Sequence, residues 1–459
     1  MEQVRGKRVT VMGLGLLGRG VGDTAFLAEC GALVTVTDLK TSKELEKSLS
    51  ALNSFSNIEY VLGEHREKDF IEADLILVAA GIPQDSKFLN IARENNVPLT
   101  QSAAFFAQHA DIPIIGVTGT RGKSTVAHLI HHTLSVVTGE SVLLGGNVRG
   151  VSNLQLLKDV KDDSLCVMEL DSWQLQAFGW AGLSPQVAVF TSFMPDHLNY
   201  YQKNCVGYEE AMSAYFADKV NIFKYQDDKG VLITTPEVFA CIQDFAKENS
   251  NLFIKGEVIL TDSSDLPGDC LLSMPGEHNK LNASLAYRAL LATGLTEEEV
   301  ASGFASFPGV PGRLQYLGTV DGVRIYNDNN ATTPQATVAG LQALSSGKDK
   351  NLVLIVGGED KNLDPTPLAL EILKSCLKVF VLPGSGSKKL LNLLKDKDGD
   401  VNYKQVESLE EAVEAGFKNT KAGESLLFSP AFASFGQFNN EYERNDKFVE
   451  LVAKKLPEK

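Results

Sequence analysis

The chain has 459 residues, enough at about 150 residues per domain for roughly three domains with separate cores. Hydrophobic residues make up 44% and charged residues 22%, which excludes a wholly disordered chain, a collagen and a coiled-coil fibre. Asp and Glu number 58 against 43 Lys and Arg, and the resulting net charge of -15 disfavours nucleic acid and anionic membranes as partners.

The six cysteines are scattered and form no CxxC pair or metal-ligand spacing, which predicts reduced thiols. The N-terminal segment reaches a glycine after too few apolar residues for a secretory signal. No apolar run is long enough to cross a bilayer. We therefore expect a cytoplasmic protein without membrane insertion. As a separate expectation, we take it to be a monomer.

Short β-branched runs alternate with longer helical patterns along the whole chain, which predicts an α/β protein with parallel sheets. The candidate strands are, in chain order, Arg8–Met12, Leu33–Thr37, Leu75–Ala79, Pro113–Thr118, Leu165–Glu169, Val187–Thr191, Val323–Asn327, Leu352–Val356, Val379–Leu382 and Ser425–Ser429.

Two strand–glycine loop–helix units, at Gly13 and Gly119, each begin their own βα series, which predicts a domain boundary near Gln108. The segment FPGVPGR, at Phe307–Arg313, interrupts the pattern a second time. We expect a Rossmann-like domain at 1–108, a central P-loop ATPase-type domain at 109–309 and a Rossmann-like C-terminal domain at 310–459.

The first glycine loop is GLGLLG, with Gly13, Gly15 and Gly18, and it stands between a strand and a helix. Asp38 ends the next strand, which completes the dinucleotide-binding pattern in its usual context. Such a loop suits any nucleotide diphosphate, and Asp38 is a candidate acceptor for a ribose or a base. The alternative is a tight turn that binds no ligand.

The second glycine loop, TGTRGKST at Thr118–Thr125, also follows an apolar strand and precedes a helix. It is a close variant of the P-loop, with Val117 where the strict pattern has glycine. The loop predicts ATP binding: backbone amides around the phosphates, Lys123 on the β and γ oxygens, and the Ser124 hydroxyl on Mg²⁺. The candidate phosphate-binding residues are Gly119, Thr120, Gly122, Lys123, Ser124 and Thr125.

A dehydrogenase does not need the second loop and a simple ATPase does not need the first, so two nucleotide sites suggest a reaction that joins two substrates. The motifs TGTRGKST, GGNV, MELDSWQL, PDHLNYY, YFADK, GEHNKLN, YNDNNATTP, GGEDKN and SPAFASFGQF occur in this order over nearly the whole length. This series resembles the Mur ligases, which use ATP to add amino acids to peptidoglycan precursors. It is most similar to the members that join D-glutamate to UDP-N-acetylmuramoyl-L-alanine through an acyl phosphate.

The resemblance implies four catalytic residues, Lys123, Glu169, His197 and Lys219. It implies two Mg²⁺ ions, with Ser124, Glu169, His197 and Lys219 as ligands and Lys219 carbamylated by CO₂. Glu169 at the end of an apolar strand is also a usual position for a metal-binding acid that faces a P-loop. Taken alone, His197 would be read as structural and Lys219 as a solvated surface charge.

The resemblance also assigns binding residues to the three substrates. Further ATP contacts fall on Asn279, Asn282, Arg313 and Asp328. The candidates for the uridine-linked substrate are Gly15, Leu16, Leu17, Asp38, Gly81, Asn147 and Gln174. Those for the amino acid are Thr332, Lys361, Ser434 and Phe435.

Several positions depart from the family pattern near the amino-acid site. Asn330 replaces a lysine and Glu441 replaces an aromatic residue, so the site loses one cation and gains one anion. Asp171 stands in place of a serine, Arg121 in place of an asparagine and Leu17 in place of a threonine. A different acceptor, such as L-glutamate or a basic amino acid, therefore stays open.

Three other functions compete with this interpretation. A folylpolyglutamate-type ligase is disfavoured by the N-terminal GLGLLG unit, and an NAD-dependent oxidoreductase leaves TGTRGKST without a purpose. A nucleotide-gated protein without ligation chemistry would bind ATP and form no product.

Overall fold

A computed structural model describes residues 2–16, 18–139, 141–203, 205, 207–268, 270, 272, 274–345, 350–396 and 401–456. These residues form two compact units, Met1–Pro267 with Asn282–Gly303, and Gly268–Leu281 with Phe304–Lys459. The first unit contains two parallel sheets and the second contains one mixed sheet. The expected α/β class is confirmed.

The N-terminal sheet has the strand order β3-β2-β1-β4-β5, and all of its pairs are parallel. The order reverses at β1, so the loop after β1 lies at the switch point where α/β sheets bind ligands. Its strands are β1 Arg8–Met12, β2 Leu33–Asp38, β3 Ile58–Leu62, β4 Leu75–Val78 and β5 Leu99–Thr100. Its helices are α1 Arg19–Glu29, α2 Glu46–Ser50, α3 Lys68–Ile71, α4 Lys87–Glu94 and α5 Ser102–His109, after a short 3₁₀ turn at Glu2–Val4.

The middle sheet is also parallel, with the order β11-β10-β9-β6-β8-β7. The P-loop follows β6, which lies between β9 and β8 and is another switch point. Its strands are β6 Ile114–Thr118, β7 Val142–Gly146, β8 Leu165–Glu169, β9 Val187–Phe190, β10 Val231–Thr234 and β11 Glu257–Leu260. Its helices are α6 Lys123–Val137, α7 Asn153–Leu156, α8 Ser172–Ala181, α9 Leu198–Tyr201, α10 Tyr208–Val220 and α11 Pro236–Glu248, with a 3₁₀ turn at Ser263–Asp265; α12 Glu277–Ala292 and α13 Glu297–Ser306 follow.

The C-terminal sheet has the order β12-β13-β17-β14-β15-β16 and departs from a purely parallel design at one edge. There β12 pairs antiparallel with β13 through a hairpin, whereas the other pairs are parallel. The strands are β12 Gln315–Val320, β13 Val323–Asn327, β14 Leu352–Val356, β15 Cys376–Val381, β16 Asn402–Gln405 and β17 Ser425–Phe428. The helices are α14 Pro334–Leu344, α15 Thr366–Ser375, α16 Ser385–Asp396, α17 Leu409–Asn419 and α18 Glu441–Ala453.

The central strands of the three sheets are largely buried, as expected of sheets with helices on both faces. All five residues of β14, LVLIV, are buried, as are all five of β6. The six cysteines form no disulfide. Every helix in the described part of the chain is too short or too polar to serve as a membrane span.

Candidate active site

The P-loop requires its glycines because neighbouring groups approach the backbone closely. Gly119 has φ +143°, and a Cβ there would lie 2.0 Å from Oγ1 of Thr191. Gly122 has φ +87°, and a Cβ there would lie 2.4 Å from Oδ1 of Asn282. Asn282, a predicted ATP residue on α12, therefore lies against the phosphate-binding loop.

Lys123 begins α6 and folds back over the loop. Its Nζ donates hydrogen bonds to the carbonyl oxygens of Gly119 and Thr120, at 3.0 and 3.1 Å. The Thr120 hydroxyl in turn lies 3.3 Å from the phenolic oxygen of Tyr215 and 3.1 Å from the carbonyl oxygen of Met194. The Lys123 amine thus lies on the loop that would hold phosphates.

Lys219 lies in α10 and is 1% exposed, so the solvated surface lysine considered from sequence alone is wrong. Its Nζ donates a hydrogen bond to the carbonyl oxygen of Gly119 at 2.9 Å and lies 4.9 Å from the Tyr215 ring centroid. Burial, and then the nearby charge of Lys123, lower the pKa of Lys219 well below its usual range. The neutral amine is the form that reacts with CO₂.

His197 caps α9 with a left-handed backbone, φ +53°. Its ring packs against Trp173, with the centroids 4.7 Å apart, and its Nε2 lies 3.8 Å from Oδ2 of Asp196. Burial lowers the pKa of His197; the charges of Asp196 and Asp171 oppose this shift, and the smaller effects of Lys123 and Lys219 add to it. A neutral imidazole is the form that binds a metal.

Glu169 ends β8, directly opposite Val117 of β6 in the parallel register. Its side chain is buried, and its carbonyl oxygen accepts a hydrogen bond from the Asn147 amide at 2.6 Å. Because parallel strands end at the same edge of a sheet, Glu169 and the P-loop share one edge. This is the location expected for a metal-binding acid.

Two of the predicted ligands are of the type that Mg²⁺ prefers. A carboxylate at Glu169 and the hydroxyl of Ser124 are the hard oxygen donors that Mg²⁺ prefers. Within the described ranges, no three His, Cys, Asp or Glu side chains cluster closely enough to hold a metal by themselves. A carbamate on Lys219 would supply the additional oxygens.

The first glycine loop is closed by Asp38 rather than left open. Oδ2 of Asp38 accepts hydrogen bonds from the amides of Leu14 and Gly15, at 3.0 and 3.2 Å, and Oδ1 accepts one from the amide of Lys40. The carboxylate thus stabilises the loop, and its predicted contact with a base or ribose stays a prediction. Leu16 projects from the loop at 59% exposure, and Leu17 lies outside the described residues.

The other uridine-site candidates lie where the N-terminal and middle sheets meet within the first unit. A Cβ on Gly81 would lie 3.6 Å from Cε3 of Trp173. The hydroxyl of Tyr200 donates to the carbonyl oxygen of Ile82 at 3.3 Å, and Nη1 of Arg19 donates to Oδ1 of Asn147 at 2.6 Å.

Gln174 belongs to the start of α8. Its backbone amide donates a hydrogen bond to Oδ1 of Asp171 at 2.8 Å, and its side-chain Oε1 accepts one from the backbone amide of Asp171 at 3.3 Å. The two bonds form a reciprocal capping box. Asp171, where the family pattern has a serine, is therefore an N-cap that stabilises the helix. The Gln174 carbonyl oxygen is engaged by the same cap.

In the second unit, Asp328 positions the backbone beside Arg313. Its Oδ1 accepts a hydrogen bond from the amide of Leu314 at 3.0 Å, and its Oδ2 accepts one from Oγ of Ser429 at 2.8 Å. Burial raises the pKa of Asp328 to about 7. On α12, Nδ2 of the buried Asn279 donates to the carbonyl oxygen of Pro275 at 2.8 Å.

The amino-acid candidates come together in the second unit. Nζ of Lys361 donates to the hydroxyl of Thr332 at 3.0 Å. Glu359 and Ala433 exchange two backbone hydrogen bonds, which brings the Lys361 loop beside Ser434. Ser434 is buried, whereas the Phe435 ring is 61% exposed. The four candidates supply one cation, Lys361, and two hydroxyl groups, those of Thr332 and Ser434.

Three residues at these sites were missed by sequence reasoning: Arg19, Trp173 and Arg444. Arg19 directly follows the last glycine of GLGLLG, and Trp173 lies within MELDSWQL, so both had a positional signal. Arg444 lies in α18 with no motif around it, and only the fold shows that it is buried.

Family models match the chain in three segments. A Mur ligase MurD-like N-terminal domain matches residues 7–101, a Mur ligase middle domain matches 117–290, and a Mur ligase glutamate ligase domain matches 312–432. Together with full-length relatives described next, these matches establish the class: the chain belongs to the Mur ligase family.

The relatives narrow the class to one branch. The UDP-N-acetylmuramoylalanine–D-glutamate ligase of Roseiflexus sp. (strain RS-1) is 33% identical, over 98% of this chain and 99% of that protein. The ligase of the same name from Borreliella burgdorferi is 32% identical, with 98% and 99% covered. The crystal structure of a UDP-N-acetylmuramate-alanine ligase from Thermotoga maritima superposes with a TM-score of 0.60 at 17% identity, covering 98% of this chain and 100% of that one, which supports the fold.

Proposed function

We propose that this protein uses ATP to add D-glutamate to the carboxylate of UDP-N-acetylmuramoyl-L-alanine, a step of peptidoglycan precursor synthesis. The observation that carries the proposal is the pair of lysines on one P-loop carbonyl: Lys123 and the buried Lys219 both donate to the oxygen of Gly119. A simple ATPase has no need of a second, desolvated amine there. Full-length similarity to D-glutamate ligases supports the same reaction.

The proposed chemistry has two steps. A carboxylate oxygen of the uridine-linked substrate attacks the γ-phosphorus of ATP, and ADP leaves with the electrons of the broken P–O bond. The neutral amine of the amino acid then attacks the acyl carbon, the phosphate leaves, and the amine loses a proton. Because phosphoryl transfer depends on positioning and on neutralising charge, Lys123 stabilises the charge that develops on the γ-phosphoryl oxygens.

Mg²⁺, when bound, would neutralise phosphate charge, with Ser124, Glu169, His197 and a carbamylated Lys219 as its proposed ligands. The desolvated amine of Lys219 supports carbamylation, since only an uncharged lysine reacts with CO₂. The hydroxyl and carboxylate donors support a hard cation.

The proposed substrate sites follow the three sheets, with domains at 1–108, 109–309 and 310–459. ATP contacts the P-loop, with Asn279, Asn282, Arg313 and Asp328 as further proposed partners; Asp328 acts through the Leu314 amide that it holds beside Arg313. The uridine-linked acid contacts the first glycine loop, with Gly81, Asn147 and Gln174 as further candidates. The amino acid binds at Thr332, Lys361, Ser434 and Phe435, where Lys361 pairs with a carboxylate.

The decisive assay measures phosphate release with UDP-N-acetylmuramoyl-L-alanine against a panel of D- and L-amino acids, with each product identified by mass. We expect release and a product of the correct mass with D-glutamate. Turnover with L-glutamate or a basic amino acid instead would reassign the acceptor. ATP binding with no product from any amino acid would favour a nucleotide-gated protein and overturn the proposal.

A further inference from the structure

Arg444 is the largest side chain in the described residues that is almost completely buried, at 1% exposure. It lies in the first turns of α18, on the side that packs onto the C-terminal sheet. Its guanidinium lies 6.0 Å from the ring centroid of Phe428, at the end of β17. Burying a cation is costly unless the surroundings compensate its charge.

The hydrogen-bond partners of Arg444 are all neutral oxygens. Nε donates to Oδ1 of Asn329 at 2.9 Å, Nη2 to the carbonyl oxygen of Asn329 at 3.2 Å, and Nη1 to the carbonyl oxygen of Phe432 at 3.3 Å. Among the described carboxylates, none forms an ion pair with it, and the nearest compensating charge is that of Glu441, one turn earlier. Its positive charge is therefore largely uncompensated.

These partners belong to the two loops that carry the proposed amino-acid site. Asn329 lies three residues before Thr332, and Phe432 lies two residues before Ser434. The loops are further joined by a hydrogen bond from the Ala431 amide to the carbonyl oxygen of Ala331, at 2.8 Å. Arg444 thus bonds to both loops that carry the proposed amino-acid site, the Thr332 loop and the Ser434 loop.

We propose that Arg444 is the buried positioning residue that gives the amino-acid site its preference for an anionic amino acid. It fixes the loops of Thr332 and Ser434 to each other, and its uncompensated charge raises the positive potential between them. Asn330 contributes no charge there and Glu441 contributes a negative one. In the Lys361 loop the carboxylate of Asp360 pairs with Lys389, and that of Glu359 accepts a hydrogen bond from the Ser385 amide. Lys361 bonds to Thr332, and Arg444 bonds to Asn329 and Phe432, so both cations are held on the loops of Thr332 and Ser434. In a low-dielectric interior, such a charge acts over a longer distance than at the surface. This inference rests on the proposed function and specifies how its acceptor is selected.

The first test separates charge from shape. R444A is assayed with D-glutamate in the presence of guanidinium chloride, of urea, which is the planar neutral analogue, or of NaCl at the same concentration. We expect the KM for D-glutamate to rise about tenfold or more in R444A while the KM for ATP changes less than about twofold. Guanidinium should restore the KM, and urea and NaCl should not. Equal rescue by urea and guanidinium would show a purely structural role and overturn the charge assignment.

The second test leaves Arg444 in place and therefore applies even if R444A fails to fold. E441Q removes the nearest opposing charge, and E450Q, on the exposed part of the same helix, is the matched control. We expect E441Q to lower the KM for D-glutamate about two- to fivefold and to raise its preference over uncharged D-glutamine, with E450Q unchanged. An unchanged or higher KM in E441Q overturns the inference.

The outcomes also separate this inference from the proposed function. If the wild-type protein ligates D-glutamate but the KM values of R444A and E441Q do not change as expected, the proposed function stands and the inference fails. A wild-type protein that accepts only neutral or basic amino acids loses both.

Discussion

The side-chain nitrogen of Lys219 donates a hydrogen bond to the carbonyl oxygen of Gly119 at 2.9 Å, from a position that is almost completely buried. The lysine therefore contacts the phosphate-binding loop directly, although 100 residues separate the two positions in sequence. Burial disfavours the charged form of this amine. Its conversion to a carbamate would give the side chain a negative charge.

We expect Lys219→Ala to lower kcat by at least about 100-fold, because the proposed carbamate ligand of the Mg²⁺ that neutralises phosphate charge would be lost. Acetate or formate should partly restore the K219A variant, since either can occupy the space of a carbamate, whereas methylamine should not. Wild-type protein prepared with ¹³C-bicarbonate should show a carbamate resonance that K219A lacks. Lys224→Ala, at an exposed position nearby in sequence, is the control. Full activity of K219A would contradict the assignment.

Lys123→Ala should lower the rate of ATP-dependent phosphate release about 100-fold or more and leave the fold intact. The reason is that the Lys123 amine lies at the P-loop, bonded to the carbonyl oxygens of Gly119 and Thr120, and can donate to phosphate oxygens held by that loop. Circular dichroism checks the fold, and Lys229→Ala, in an exposed turn, is the matched control. Near-normal phosphate release from K123A would show that the P-loop assignment is wrong.

Lys361→Ala should raise the KM for the amino acid about 10- to 100-fold, which corresponds to the loss of a charge-assisted hydrogen bond. The KM for the uridine-linked acid should stay within about twofold, because Lys361 bonds to Thr332 in the other unit of the chain. Initial rates with each substrate varied in turn provide the measurement, and Lys378→Ala is the control. An unchanged amino-acid KM for every acceptor would remove Lys361 from this site.

The buried carboxyl group of Asp23 should make the free energy of unfolding depend on pH. Its Oδ1 accepts hydrogen bonds from Oγ of Ser152 and the amide of Leu154, and burial raises its pKa from 3.8 to about 6. The folded form holds a proton that the unfolded form releases above pH 3.8, so the stability falls as the pH rises from about 4 to about 6 and is constant above. The loss amounts to at most about 3 kcal/mol.

The variant Asp23→Asn should remove this dependence, since its carbonyl oxygen still accepts both hydrogen bonds and carries no charge. Thermal unfolding at pH 5 and pH 7.5 measures the effect: the midpoint of D23N relative to wild type should be higher at pH 7.5 than at pH 5. Asp244→Asn, at an exposed position, is the control. The same difference between variants at both pH values would contradict the account.

Much of the fold was predictable because its central strands are apolar and bounded by glycine loops. The expected strands at Arg8, Leu165, Val323 and Leu352 begin and end at the residues observed. Edge strands gave weaker signals: β12 is partly exposed along its length and β16 is largely polar, so neither has a continuous apolar run. The antiparallel β12–β13 hairpin therefore could not be inferred from the βα alternation.

The site was predictable where a motif sets the local backbone, as at Lys123, and less so where the fold brings distant residues together. A lysine in a helix gives no sign of burial, so Lys219 required tertiary structure. Asp38 shows the opposite case: it ends β2 as the pattern requires, but its oxygens accept hydrogen bonds from amides of the glycine loop, a role that the pattern does not indicate. Hydrogen-bond competition of this kind depends on geometry that spacing does not encode.

The hydrogen bond from Tyr200 to Ile82, with those of Arg19 to Asn147 and Ser152 to Asp23, joins the N-terminal and middle sheets into one compact unit. An engineered chimera that exchanged only the first sheet with that of a relative would need to rebuild these contacts together with those of Leu154 with Asp23, Gln155 with Gly22 and Lys158 with Glu29. Chimeras that exchange both sheets together keep these contacts. We therefore expect them to fold more readily than chimeras joined between the two sheets.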